Sequence, residues 1–191
     1  MNYDLPKSFD ICGTEYAIRY DFRPILEICA AMEDPELEKQ DKVLVALTVF
    51  YPDFENMPPE YFPEAIKQCF WFIDGGEENP DQKGPRLVSW EQDIPYIIAP
   101  VNRILGQETR AIHYDAETNT GGLHWWTFLS AFREIGDCTF AQIVRIRNIL
   151  ATRKKMDKPD QEWYRKNKHL VDFKQTYTET EKDILSEWGI K

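Results

Sequence analysis

No run of about 18 apolar residues occurs anywhere in this 191-residue chain, so no membrane-spanning helix is expected. The opening Met1-Asn2-Tyr3-Asp4-Leu5-Pro6 lacks the basic and apolar regions of a secretion signal, and the expectation is a cytoplasmic protein. Cysteine is sparse. Cys12, Cys29, Cys69 and Cys138 lie far apart, form no CxxC pair and sit among apolar neighbours, which predicts reduced, buried thiols rather than disulfides or a metal site. His113, His124 and His169 share no metal-ligand spacing. There is no GxGxxG, P-loop, HExxH, GxSxG or EF-hand loop, so no cofactor, metal or catalytic residue is expected. Basic charge is also short: 23 Lys and Arg against 33 Asp and Glu give −10, which disfavours nucleic acid and anionic lipid as partners.

Apolar material is plentiful. Hydrophobic residues make up 42% and aromatic residues 14%, enough for a packed core and against wholesale disorder. Charge is unevenly placed. Residues 1–144 carry 11 basic and 25 acidic side chains (−14), whereas residues 145–191 carry 12 and 8 (+4). A basic tail on an acidic body fits a solvated helix, an interaction tail, or head-to-tail contact between copies.

Periodicity predicts a mainly α protein, a multi-helix globular domain with a short N-terminal β-hairpin. Ser8–Cys12 and Glu15–Tyr20 alternate apolar with polar around Gly13-Thr14. Asp21 should cap a helix ending near Glu33, with Pro24 in its first turn. Asp34-Pro35 reads as the start of a second helix reaching Phe50, and Pro58-Pro59-Glu60 as the start of a third, stopped by Gly75-Gly76. The acidic stretch 77–88 reads as a linker between an N-terminal part, 1–76, and a C-terminal part, 89–191, packed together as one unit.

Beyond it, Ser89 and Gln92 fit a capping box for a helix ending at Gly106, with a kink expected at Pro100. Gln107 to Gly122 shows no clear element, and a loop of that length is often mobile or functional. A helix over Leu123–Ile135 follows, with Trp125, Phe128, Leu129, Phe132 and Ile135 on one face. Thr139 and Gln142 suggest a second capping box, opening a helix with Ile143, Ile146 and Leu150 inside and Arg145, Arg153, Lys154 and Lys155 outward. These two helices should form an antiparallel pair. Short helices are expected around Asp160–Leu170 and after Thr178-Glu179-Thr180-Glu181.

Candidate sites are few. His124 beside two indoles suits either a tuned acid–base group or a histidine bonded to backbone at a helix start. Pairs such as Asp93 and Asp115 could serve as acid and base, yet most carboxylates lie at caps or in loops. Trp126 sits about 100° around the helix from the Trp125 stripe, so it must pack on a separate element or a partner. Trp126, Arg145, Arg153, Lys154 and Lys155 are therefore the candidate partner-binding residues.

The block Leu123-His124-Trp125-Trp126-Thr127-Phe128-Leu129, with Arg145-x-Arg147 and Lys154-Lys155 downstream, resembles the bacteriophage gene-product-fifteen family, small proteins of siphophages and prophages in Gram-positive bacteria. Phe22-Arg23, Asp93–Ala99 with Val101-Asn102, and Glu162-x-Tyr164-x-x-Asn167 extend the likeness over nearly the whole chain. The resemblance implies a non-catalytic role in tail building in the host cytoplasm. Such genes commonly precede the tape-measure gene, the position of tail assembly chaperones, which implies the tape-measure protein and tail-tube protein as partners, with self-association a further possibility. A structural tail component is the alternative reading, and an enzyme using His124 and carboxylates a third.

Overall fold

The computed structural model describes residues 4–77 and 84–174. The helix expected after Thr178 and residues 78–83 of the acidic linker lie outside those residues.

Strands β1 (Ser8–Ile11) and β2 (Thr14–Ala17) pair antiparallel. Their two-residue turn is Cys12-Gly13, one position earlier than the alternation suggested, because both residues take the left-handed φ (53° and 85°) that a tight hairpin turn demands. Cys12 is consequently exposed rather than buried.

Helix α1 (Phe22–Glu33) begins at Asp21, whose carboxylate accepts from the Arg23 amide as expected of an N-cap. Helix α2 (Lys39–Phe50) starts four residues later than Asp34-Pro35 predicts for it. The Asp34 carboxylate instead accepts from the Glu36 amide, a local turn that competes with helix nucleation. After a 3₁₀ turn at Phe54–Asn56 and another at Pro59–Tyr61, α3 (Phe62–Ile73) runs to the positive-φ pair Gly75-Gly76.

Helix α4 (Trp90–Leu105) is continuous through Pro95 and Pro100 and ends at left-handed Gly106. Ser89 is its cap residue by backbone, yet no capping box forms. The Ser89 hydroxyl donates to Glu33, and Gln92 reaches instead to the backbone of Leu170, Asp172 and Lys174. Helices α5 (Trp125–Arg133), α6 (Thr139–Ala151) and α7 (Lys158–Val171) complete the described chain. Thr139 is the first residue of α6 rather than its cap; Cys138 holds that place, its Sγ accepting from the Ala141 amide.

One apolar core runs from Ile11 through Phe50, Phe72, Ile97 and Trp125 to Phe140, drawing on both sides of the acidic stretch. Packing follows the order α3, α2, α1, α4, α6, α7, with α5 laid on α4 and α1. The expected α5–α6 pair does not form along its length. Both helices lie on α4 and meet through Phe132 and Phe140, whose rings are 5.6 Å apart.

Candidate functional site

The His-Trp-Trp block is a joint between two helices. His124 is the N-cap of α5: its Nδ1 accepts from the Trp126 amide at 3.1 Å, while its Nε2 lies 2.9 Å from the Pro6 carbonyl. Acceptance at Nδ1 requires the proton on Nε2, so the ring is a neutral donor to Pro6. Burial holds the imidazole below its ordinary value of 6.5, with the Pro6 bond opposing and Lys7 reinforcing that shift. With both nitrogens engaged, His124 has none left for a substrate.

The adjacent indoles cap the other helix. Trp125 Nε1 donates to the Ile73 carbonyl and Trp126 Nε1 to the Phe72 carbonyl, each at 2.8 Å. Those carbonyls belong to the last turn of α3, beyond its internal hydrogen-bond ladder, where the Gly75 amide also donates to Phe72. Trp125 is buried against Phe128 and Trp90. Trp126 is half-buried, stacked on Phe72 and edge-on to Trp71. Its ring lies over Gly76, where an added Cβ would sit 2.9 Å from Trp126 Cη2.

A second cluster surrounds Asp21, which is wholly buried. Its Oδ1 accepts from the Arg23 amide and guanidinium, and its Oδ2 from the Leu123 amide at 2.7 Å. Arg23 also donates to the carbonyls of Thr109, Arg110 and Ile112. The segment from Gln107 to Gly122, expected to be featureless, is therefore built: a 3₁₀ turn at Thr109–Ala111 and a small hairpin, β3 (Tyr114–Asp115) with β4 (Thr120–Gly121). Its Asn119 amide reaches the Ile18 carbonyl. Asp115 is the cap of the hairpin's turn, accepting from Glu117 and Thr118, while Asp93 is bonded by Arg147.

Arg147 is the third centre, and sequence reasoning missed its role. It is 4% exposed, and its five N–H groups make five bonds. Two reach Asp93 at 2.6 and 2.9 Å; the others reach the carbonyls of Leu87, Leu170 and Val171. Asp93, itself fully buried, also accepts from the Ser89 amide. The guanidinium lies 4.2 Å from the Phe173 ring centre, and Arg86 lies 4.9 Å from the same ring. A signal was present: Arg147 follows Ile143 by four positions and Asp93 precedes Ile97 by four, so opposite charges occupy two apolar stripes.

The other predicted contact residues do not converge on one pocket. Arg145 pairs with Asp160 of α7 and bonds Gln142. Arg153, Lys154 and Lys155 are exposed at the C-terminal end of α6, where Arg153 turns the chain with φ 53°, and none has an ion-pair partner among the described residues. Leu150, expected inside, is 42% exposed beside them, while Ile143 and Ile146 earlier on the same stripe are buried.

Among the described residues no three His, Cys, Asp or Glu side chains gather to hold a metal. Cys29 and Cys69 are buried, and burial pushes the Cys29 thiol up to about 12, which suppresses the reactive thiolate. Among the same residues no helix is long and apolar enough to cross a membrane. A groove of about 560 Å³ runs between the end of α1 and the start of α4, lined by Ala31, Glu33, Leu37, Glu91 and Phe173. Thr109 Oγ1 is the one buried side-chain polar atom left without a partner among the described residues.

Polar groups this thoroughly engaged in internal bonds define a helical scaffold whose free chemistry lies on its outside. The chain belongs to the family described as "Bacteriophage Gp15 protein", whose model matches residues 1–173, and is thus a phage-associated protein of the structural or assembly type. No curated protein and no solved structure matches it.

Proposed function

We propose that this protein is a tail assembly chaperone: it binds the tape-measure protein, keeps its exposed helical segments from aggregating, and yields them as tail-tube subunits assemble. The contacts lie on two separate surfaces, the α6 side from Arg145 to Lys155 and the accessible part of the half-buried Trp126 at the end of α3. What supports the reading, beside membership of the phage family, is one observation. Leu150 stands 42% exposed beside Arg153, Lys154 and Lys155, an apolar and cationic edge with no partner within the described chain. Such an edge suits an amphipathic helical client held by moderate, reversible contacts. Co-expression with the tape-measure protein of the same phage tests it. A soluble complex that a Lys154→Glu/Lys155→Glu variant fails to form supports the chaperone; no complex, with the chain retained in purified tails, identifies a structural tail component instead.

A further inference from the structure

We propose that copies of this chain associate head to tail, the basic connection between α6 and α7 of one copy seating on the acidic connection between α2 and α3 of the next. The two surfaces are complementary in charge. From Val43 to Ile66 there is no lysine or arginine, against the carboxylates Asp53, Glu55, Glu60 and Glu64. Asp53, Glu55 and Glu60 are exposed, and Glu64 alone pairs with a cation, Lys67. Between them the rings of Phe54 and Phe62 pack 5.1 Å apart, both half-buried. The result is an anionic rim around an aromatic pair, a surface that takes a guanidinium or ammonium group by ion pairing and cation–π contact.

The opposite surface offers those groups. Arg153, Lys154, Lys155 and Lys158 are exposed around the α6–α7 connection, with Leu150 as its apolar element. Asp157, the one carboxylate in that stretch, is engaged as the N-cap of α7.

Placement in the fold favours pairing between copies over pairing within one. Along the packing order α3, α2, α1, α4, α6, α7 the α2–α3 connection lies at one end and the α6–α7 connection at the other, with α1 and α4 between. Because the two surfaces differ, the contact is heterologous and propagates as a ring or an open chain rather than stopping at a symmetric dimer. The apolar area is small and the charges are exposed, so association is weak and sensitive to salt.

This inference goes beyond the chaperone reading and needs no client, so its test uses the full chain alone. Sedimentation velocity over a concentration series, at about 50 mM and about 500 mM salt, should show oligomers whose apparent dissociation constant rises at least tenfold with the salt. Lys154→Glu/Lys155→Glu and Glu55→Lys/Glu60→Lys should each sediment as monomers with unchanged circular dichroism. The variant carrying all four substitutions should associate again, because the charges are exchanged. A wild-type chain that stays monomeric throughout, either double variant still associating, or a quadruple variant that stays monomeric would overturn the proposal.

Discussion

Asp93→Ala leaves the Arg147 guanidinium in a dry site with three carbonyls and no counter-charge. Removing one partner of such a pair costs about 3–5 kcal/mol, whereas replacing both by apolar residues of similar size is far milder. Urea unfolding should therefore rank Asp93→Ala well below Asp93→Leu/Arg147→Met; equal losses would mean that the pair contributes packing and little electrostatics. Gly122 makes a similar demand through the backbone. Its φ is +78°, and an added Cβ would stand 2.3 Å from Asp21 Oδ2. Gly122→Ala should lose about 1–3 kcal/mol from backbone strain alone, and more from displacement of Asp21. An unchanged melting temperature would refute that geometry.

His124 gives the residue scale a pH dependence. Folding holds the ring neutral below its ordinary value of 6.5, so between 6.5 and the lower folded value the unfolded chain binds the extra proton. Stability is full above about 6.5, falls as pH drops through that region, and levels once the folded protein protonates too. In His124→Asn, which keeps a capping acceptor, this part of the slope should vanish from denaturation curves taken between pH 7 and pH 5; a slope that survives would place its source in other groups.

At the scale of elements, the tandem tryptophans join α5 to α3 by donating to the carbonyls of its last turn, Trp126 sharing the Phe72 carbonyl with the Gly75 amide. Trp126→Phe retains the ring stacking and deletes the donor, so it should cost about 1 kcal/mol, and hydrogen exchange should quicken in the last turn of α3. Unaltered exchange there would show that the indole bond does not hold the helix end. How far elements were legible follows from the range of the forces that set them. Asp21, Gly75-Gly76 and Gly106 mark helix ends through local chemistry, and the structure places those ends where they predict. Ser89 and Gln92 fit a capping box equally well, but Glu33 and the end of α7 take their side chains through long-range bonds. The segment 107–122 looked featureless for the same reason: Arg23, more than eighty residues earlier, supplies its bonds.

At the scale of the molecule, the candidate site was half legible. Sequence separated Trp126 from the Trp125 stripe and marked Arg153, Lys154 and Lys155 as outward, and all three cations are exposed. It placed Leu150 inside, because helical spacing cannot tell where a neighbouring helix stops covering a face. It gave Arg147 no structural role, since its partner Asp93 lies 54 positions away. The polar interior reads as scaffold, and the proposed function places binding on the outer edges. That separation of scaffold from edge is the central claim, and co-expression with the tape-measure protein followed by size-exclusion chromatography with light scattering tests it most directly. The account predicts a soluble complex that survives Trp126→Phe, with its fold intact, and is lost on Lys154→Glu/Lys155→Glu. A complex indifferent to the charge reversal, or none with the wild-type chain, would contradict it.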